Sequence, residues 1–438
     1  VLSELYGATG WDMTLDRYKK SGDWQALFGI SLRCPHLSWY TMKGEAKRDY
    51  PASILHQLSF YKEWKSLEDY FARLAVLNSE GTRICDTLVL TPMREMWGKV
   101  RMGWMNIFTP NDSDISDLDA AYIEDFKTLT ERGIDFDYGD EEILRKYGKV
   151  VKENGKAYLQ GRIRYSEILW ERRGRIGGET RRLLDKFVAA GGKLVGEIEK
   201  LSPEFRIKAP VGTGYAAYEL GGDIWLFLLN LDKEKGTAGA LELPERLKGY
   251  CAEKWNFRDG KSEGKTEISE TTAGRTISVS LVGGEECIFR FTKDAVKHTE
   301  CKEYPLAVLP EEFDYRLTEP NVLPLDCAIW ETDGVCMDGG KEKDVLLIDR
   351  IIRWERGAGL RGGAMLQPWF VEKYGGGKAE KKLCRLKLTF SFEAEIVPQK
   401  IYLAKESGKL DCFVNGRALG EKCDFYWVDR CFDVYPIE

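Results

Sequence analysis

The spacing of apolar residues divides the chain into regions that favour different secondary structures. Residues 1–65 carry short apolar runs among glycine, aromatic and polar residues. From Ser66 onward the apolar residues recur every three or four positions, which predicts an amphipathic helix that ends at Gly81. Ser66 and Asp69 are typical of a capping box at the start of that helix.

Between residues 82 and 200, short apolar runs alternate with segments of helical spacing. The runs predict strands at Ile84–Leu90, Ile134–Tyr138, Tyr165–Trp170 and Lys193–Ile198. The helical spacing predicts helices from about Asp117 and over Glu179–Ala190. Because strands that alternate with helices build parallel sheets, we expect a flavodoxin-like (amidotransferase-like) α/β layer here.

After Pro203 the helical period disappears and short strands separated by turns follow. The predicted strands are Tyr215–Leu220, Ile224–Leu231, Gly239–Leu243, Tyr250–Phe257, Thr276–Leu281 and Glu286–Phe291. This pattern is typical of an antiparallel β-sandwich.

Beyond a proline-containing linker at 304–324, the pattern predicts a second β region. Its predicted strands are Val345–Ile352, Leu383–Phe392, Lys400–Leu403 and Leu410–Val414. The dipeptide Asn415-Gly416 between apolar runs predicts a hairpin turn.

Composition narrows the possible partners. The 65 basic and 71 acidic residues leave a net charge of −6 without a block of one sign, which disfavours nucleic acid as a partner. No apolar run reaches the roughly 18 residues of a membrane span. Aromatic residues make up 12% of the chain, which suits sugar sites and sandwich cores alike.

Cysteine and histidine usage bears on metals and location. The 11 cysteines form no C-x-x-C pair, which favours reduced thiols over a disulfide framework or a zinc site. Three histidines are too few for a His-rich metal site. Reduced thiols favour the cytoplasm. A periplasmic or secreted location stays open, because we interpret the sequence, which starts at Val1, as truncated at both ends.

Residues with possible catalytic or binding roles are most concentrated near the start of the chain. A carboxylate, a tryptophan and glycines follow an apolar strand start, which suits the rim of a (β/α)8 barrel, where the active sites of such enzymes lie. The segments ELYGATGWD, GDWQALFGISLRCPHLSWY and GEAKRDYPAS resemble the last barrel strands of glycoside hydrolases of family 106, the α-L-rhamnosidases, and their relatives. This resemblance is specific over residues 1–75 and architectural beyond them.

The resemblance implies a fold of four parts. These are the last strands of a catalytic TIM-type barrel, the flavodoxin-like domain, the sandwich, and a linker with an incomplete jelly-roll (galactose-binding-like, sugar-binding) module, at 1–80, 81–203, 204–300 and 301–438.

The resemblance also implies catalysis by two carboxylic acids, roughly 6.5–9.5 Å apart in inverting enzymes and about 5–5.5 Å apart in retaining ones. Glu4 is the expected base or nucleophile, and Asp12 is the alternative or a ligand of sugar hydroxyls. The proton-donating partner would lie upstream of this sequence.

Other residues of the same segment are candidates for substrate contact. Trp11, Trp39 and Tyr40 offer stacking faces or ordinary packing, and His36 offers a hydrogen bond to a hydroxyl. Arg48 and Asp49 are interpreted first as an ion pair that braces the rim. The full candidate set for substrate binding is Tyr6, Trp11, His36, Trp39, Tyr40, Arg48 and Asp49.

Relatives of this kind often use calcium, so the resemblance makes a calcium ion the one cofactor to consider. Candidate oxygens are those of Glu4, Asp12 and Asp23, without a dedicated Asp-rich loop.

We therefore expect a glycosidase fragment acting on O-glycosides of an oligo- or polysaccharide, with α-L-rhamnosides first. The alternative is a non-catalytic carbohydrate-binding or scaffold portion, because fewer than 80 residues precede the α/β layer and a barrel needs about 250. A redox or nucleotide-binding protein would rest on the βαβ pattern alone, and the chain lacks a phosphate loop.

Overall fold

The computed structural model describes residues 1–43, 51–91, 93–105, 110–161, 163–170, 175–271, 274–294, 310–317, 319–355, 384–396, 398–408 and 410–437. Contacts between residues divide the chain into two compact units. The first unit comprises 1–303, 404–412 and 421–435, and the second comprises 304–403, 413–420 and 436–438.

Two parallel strands, each followed by a helix, open the first unit. Their elements are β1 (Leu2–Leu5), α1 (Leu15–Leu27), β2 (Leu32–Pro35) and α2 (Trp64–Glu80). The hydroxyl of Thr14 accepts the N–H of Arg17 at 3.3 Å and so caps α1. Both helices pack on one face of the strand pair, in a core that includes Leu5, Leu27 and Phe71.

Helix α2 begins two residues before the predicted start and ends at Gly81 as predicted. The predicted capping box is wrong, because the Ser66 hydroxyl donates to the carbonyl of Glu63 at 2.8 Å instead of accepting a backbone N–H.

The α/β part of the first unit has helices on both faces of a parallel sheet. Its elements are β3 (Thr82–Arg83), β4 (Thr87–Leu90), α3 (Met93–Lys99), α4 (Ser113–Glu131), β5 (Phe136–Gly139), α5 (Glu141–Tyr147), β6 (Lys149–Glu153), β7 (Lys156–Gln160), β8 (Arg164–Tyr165), β9 (Glu167–Leu169), α6 (Gly178–Ala189) and β10 (Lys193–Val195). Four strands lie parallel in the order β10-β9-β4-β5, which confirms the predicted parallel pairing. In β4, Leu88 faces a core with Phe187 of α6, and Val89 faces a core with Leu129 of α4.

Two features of the α/β part differ from the elements that the sequence predicted. Helix α4 starts at Ser113, because the side chain of Asp112 accepts the N–H of Asp114 at 3.1 Å. Strands β6, β7 and β8 form an antiparallel sheet that the apolar spacing did not reveal.

Antiparallel strands complete the first unit as two sheets with a shared core. They are β11 (Thr213–Leu220), β12 (Asp223–Asn230), β13 (Thr237–Glu242), β14 (Cys251–Asn256), β15 (Lys261–Thr266), β16 (Ser269–Thr271), β17 (Gly274–Leu281) and β18 (Glu286–Thr292). One sheet has the order β15-β14-β18-β12-β11-β3 and the other β13-β17-β16. Leu226 and Phe289 of the first sheet share a core with Ile277 of the second, so the predicted antiparallel sandwich is confirmed. The other face of the larger sheet packs on α2 through Tyr218 and Phe227.

The remaining elements follow in the last part of the chain. They are β19 (Cys327–Thr332), β20 (Val335–Cys336), β21 (Lys343–Asp344), α7 (Val345–Glu355), β22 (Leu386–Thr389), β23 (Ile401–Glu406), β24 (Phe413–Val414), β25 (Arg417–Ala418) and β26 (Phe432–Ile437).

One predicted strand of this region is wrong, and one predicted turn is confirmed. Residues 345–352 belong to helix α7, whose first turn is capped by Asp344 through the N–H of Leu347 at 2.9 Å. Asn415 and Gly416 have φ values of 48° and 80° and join β24 to β25, as a hairpin turn with two left-handed residues requires.

The ten cysteines in the described ranges are all free thiols. None of the helices that the structure describes combines the length and apolar character needed to cross a bilayer.

Candidate active site

The carboxyl ends of β1 and β2 bring Glu4 and His36 together. Glu4 lies opposite Cys34, and the backbone N–H of His36 donates to the carbonyl of Leu5 at 2.8 Å. A Cβ atom added to Gly7 would collide with Glu4 Oε1 and lie 4.0 Å from His36 Cγ. The carboxylate and the imidazole therefore converge on one small region at the strand ends.

The two members of this pair differ in exposure, and each has a polar atom that is not fully paired. The Glu4 side chain is exposed. His36 Nδ1 is enclosed and has no hydrogen-bond partner among the described residues. A buried polar atom left without a partner costs about 1–3 kcal/mol, so a group that pairs with this nitrogen would gain from doing so.

Tyr6 lies beneath the strand end and offers no exposed surface for the predicted substrate contact. Its hydroxyl donates to the carbonyl of Tyr18 at 3.1 Å, and its ring packs edge-on against Tyr18 and Trp64. Burial raises the pKa of Tyr6 to about 12. Its backbone adopts a left-handed φ of 69°, which turns the chain away from β1. These contacts assign Tyr6 to the support of the strand end.

The three other aromatic candidates differ in exposure. Trp39 is buried, and the partly exposed ring of Trp11 meets it edge-on with centroids 5.4 Å apart. Tyr40 is fully exposed. Of the three, Trp11 combines an accessible ring with a fixed neighbour, whereas Trp39 serves packing.

The remaining predicted residues make contacts of their own or fall outside the described residues. Asp12 is exposed, and its carboxylate lies 3.8 Å from the guanidinium of Arg17. Arg48 and Asp49 fall in 44–50, outside the described ranges, so their predicted ion pair stays a prediction.

Asp429 is a residue of this region that the sequence did not single out. Its buried carboxylate accepts hydrogen bonds from Thr41 Oγ1 at 3.0 Å, from the N–H of Met42 at 3.1 Å and from the N–H of Cys431 at 2.9 Å. Gln57 Nε2 donates to the same carboxylate at 3.1 Å. Burial by itself would raise the pKa of Asp429, but these donors outweigh it and hold the pKa well below the usual range.

The same network fixes the backbone of Trp39. The N–H of Trp39 donates to Ser53 Oγ at 2.9 Å, and Ser53 Oγ donates to Gln57 Oε1 at 2.9 Å. Gln57 Nε2 donates to the carbonyl of Trp39 at 3.3 Å as well as to Asp429. The segment after β2 is therefore held by a residue near position 430. Nothing in the sequence indicates that Asp429 pairs with this segment, because Thr41 and Met42 lie 388 and 387 positions away from it.

The oxygens proposed for calcium do not converge on an ion. Asp23 is fully buried in α1, where Lys19 Nζ donates to Oδ2 at 2.7 Å and the Tyr70 hydroxyl donates to Oδ1 at 2.7 Å. Lys19 also pairs with Glu286, and burial raises the pKa of Asp23 to about 6. Within the described ranges, no group of three or more His, Cys, Asp or Glu side chains could hold a metal ion. These residues do not fit a calcium site.

Comparison with known proteins gives no family for this chain. No family model matches it, and no curated protein matches it.

Among solved structures, a rhamnosidase from Novosphingobium sp. PP1Y is 15% identical, with a TM-score of 0.48, over 74% of this chain and 33% of that one. A GH42 β-galactosidase from G. stearothermophilus, in a catalytic-mutant form, is 11% identical, with a TM-score of 0.41, over 64% and 51% of the two chains. A β-galactosidase from Bacillus circulans sp. alkalophilus is 11% identical, with a TM-score of 0.39, over 66% and 55%. This chain thus spans between a third and about half of the length of these structures, and at such TM-scores the likeness carries no weight on activity.

Proposed function

We propose that this chain supplies one carboxylate and a strand-end rim to a glycoside hydrolase, with Glu4 as general base or nucleophile. The observation that carries the proposal is the convergence of the Glu4 carboxylate and the His36 imidazole at the carboxyl ends of two parallel strands. Catalytic residues of (β/α)8 enzymes come from strand ends of this kind.

The face of the β1–β2 pair that carries Glu4 supports a barrel interior. Leu5 points to the helices, whereas Leu2 and Leu32, paired across the strands, are 59% and 58% exposed on the opposite face. Exposure of a large apolar side chain forgoes about 1.5–3 kcal/mol, so soluble proteins cover such faces. We infer that further parallel strands cover this face and that they belong to polypeptide outside this chain. Glu4 would then point inward at the carboxyl end, because it alternates with Leu5.

The chemistry would follow the two-carboxylate mechanism of glycosidases. Glu4 would activate a water molecule or attack the anomeric carbon, and a second carboxylic acid from the additional strands would protonate the leaving oxygen. His36 would contact a hydroxyl of the bound sugar, and Trp11 would pack against the apolar face of its ring. We propose an O-glycoside as substrate, with α-L-rhamnosides as the first class to test.

The second candidate is a non-catalytic carbohydrate-binding or scaffold role. The network of Asp429, Gln57 and Trp39 favours it, because this network devotes the segment after β2 to packing. A scaffold would tolerate the loss of the Glu4 charge, whereas a hydrolase would not.

The experiment compares hydrolysis of aryl glycosides by the full-length protein that contains this chain, by its Glu4→Gln variant and by a matched Asp12→Asn variant. Glu4→Gln keeps the shape of the side chain and removes its charge. The expected result is a loss of at least about a hundredfold in kcat for Glu4→Gln with unchanged thermal stability, because a group acting on the reacting atoms is removed. Equal activity of Glu4→Gln and the intact protein would leave the scaffold role, and a loss confined to Asp12→Asn would move the carboxylate to Asp12.

A further inference from the structure

A cleft lies at the carboxyl edge of the four-stranded parallel sheet, in the α/β part of the first unit. In the order β10-β9-β4-β5, the next two parallel strands after β4 lie on opposite sides of it. Ligand sites of open α/β sheets form at such a switch point, beyond the carboxyl ends of the strands. Here α3, α5 and α6, which come after β4, β5 and β9, surround a cleft of about 460 Å³, within the usual size of small-molecule sites.

The charges that line this cleft disfavour an anionic ligand. Four carboxylates, those of Asp140, Glu141, Glu142 and Glu179, face two guanidinium groups, those of Arg94 and Arg145. A phosphate or carboxylate ligand would meet net repulsion. A neutral ligand with many hydroxyl groups, in contrast, can donate to the carboxylates and accept from the guanidinium groups.

Some of these groups are already occupied, and others remain free. Asp140 caps α5 through the N–H of Glu142 at 2.8 Å, and Glu141 Oε2 accepts the N–H of Gly177 at 2.6 Å. Arg94 makes no hydrogen bond or ion pair with any described residue. A Cβ atom on Gly177 would collide with the Arg94 guanidinium and lie 3.2 Å from Glu141 Oε2. Glycine at this position therefore lets an unpaired donor and a fixed acceptor approach each other over the backbone.

An aromatic surface completes the lining. The ring of Trp97 is 64% exposed and contacts no other aromatic ring among the described residues. Aromatic rings provide flat apolar surface with little conformational freedom to lose, which suits the apolar C–H face of a pyranose.

We propose that this cleft is a saccharide-binding subsite built from residues other than those of the Glu4–His36 pair. The sugar ring packs on Trp97, and its hydroxyls accept from Arg94 and donate to the carboxylate of Glu141, since Glu142 already pairs with Lys146 at 2.9 Å. The proposal rests on the lining of the cleft and does not need Glu4 to be catalytic.

The test is isothermal titration calorimetry of the full chain with the methyl glycosides of rhamnose, galactose, glucose and mannose, and separately with inorganic phosphate. The proteins are the intact chain, Trp97→Ala, Arg94→Gln, Glu4→Gln and the control Trp354→Ala, which removes another exposed tryptophan in α7. At least one glycoside should bind to the intact chain. Trp97→Ala should weaken binding about tenfold or more, and Arg94→Gln should weaken it too.

The other two variants separate this proposal from the proposed catalytic role. Trp354→Ala should bind the glycoside as the intact chain does, whereas Glu4→Gln reports on sugar bound at the strand ends. The proposal is overturned if no glycoside binds, if phosphate binds instead, or if Trp97→Ala binds as tightly as Trp354→Ala. Loss of binding in Glu4→Gln alone would also overturn it, because the sugar would then lie at the strand ends.

Discussion

The Glu4–His36 pair and the Asp429 network differ in how far hydrogen bonds satisfy their polar side chains. Glu4 is exposed, and His36 Nδ1 has no partner among the described residues. Asp429 is buried and accepts four hydrogen bonds, from Thr41, Met42, Gln57 and Cys431. The exposed Glu4 carboxylate is available to a ligand and the unpartnered His36 nitrogen lowers stability, whereas the saturated Asp429 carboxylate contributes to folding and has nothing left for a ligand. The Glu4–His36 pair is therefore suited to chemistry, whereas the Asp429 network stabilises the fold.

The largest effect on stability is expected from the saturated carboxylate. Asp429→Ala removes the acceptor of four hydrogen bonds and leaves buried donors without a partner, so we expect the free energy of unfolding to fall by about 3 kcal/mol. Urea-induced unfolding measures this. The matched control is Asp433→Ala in the same segment, which removes an ion pair with the exposed Lys422 and should change stability by less than about 1 kcal/mol. Equal losses in the two variants would show that Asp429 contributes no more to stability than Asp433 does.

The pH dependence of stability sharpens the same contrast. The hydrogen bonds hold the pKa of Asp429 in the folded protein below that of the unfolded chain. Its contribution to stability is therefore fully present above the unfolded pKa of about 3.9 and is lost as the pH falls below it. We expect Asp429→Asn to lose less stability than the intact protein between pH 5 and pH 3, on the order of 1 kcal/mol less. Parallel curves for the two proteins would contradict this assignment.

Gly7→Ala is expected to give the smallest change in stability and to act on the chemistry instead. A methyl group at this position collides with Glu4 Oε1, so the carboxylate must move away from the point it shares with His36. We expect roughly a tenfold loss in kcat, since misplacement by about 1 Å can remove up to a hundredfold, with the free energy of unfolding changed by less than about 1 kcal/mol. Gly98→Ala, where an added Cβ meets no atom within 4 Å, is the matched control for activity. The same kcat in both variants would show that the position of Glu4 is unimportant.

The sequence predicted the elements whose burial follows a simple period. The parallel strands around Leu88 and Ile168 and the antiparallel strands of the sandwich are of this kind. Helix α1 was missed because its buried face includes Lys19 and Asp23, which satisfy each other across one turn and break the apolar pattern. Residues 345–352 were assigned to a strand because a short apolar run fits either element; the structure buries Ile348 alone in α7.

The residues of the candidate site also divide into those that the local sequence indicates and those that it does not. The sequence singled out Glu4 and His36 because each lies at the end of a strand in a recognisable segment. Tyr6 and Trp39 lie in the same segments, yet their burial depends on partners that the local sequence does not contain, such as Trp64 for one and the Asp429 network for the other. Asp429 could not be found at all, because nothing near it in the chain indicates which distant N–H groups it accepts.

The most direct test of the central claim is rescue by a small anion. In the full-length protein, Glu4→Ala should turn over an activated aryl glycoside very slowly, and sodium azide should restore turnover, because azide fits the space left by the carboxylate and attacks the anomeric carbon. We predict a glycosyl azide of inverted anomeric configuration as the product, because azide takes the place of Glu4 on the face opposite the leaving group. Turnover of Glu4→Ala at the rate of the intact protein, or a loss of activity on which azide has no effect, would contradict a role for Glu4 at the reacting carbon.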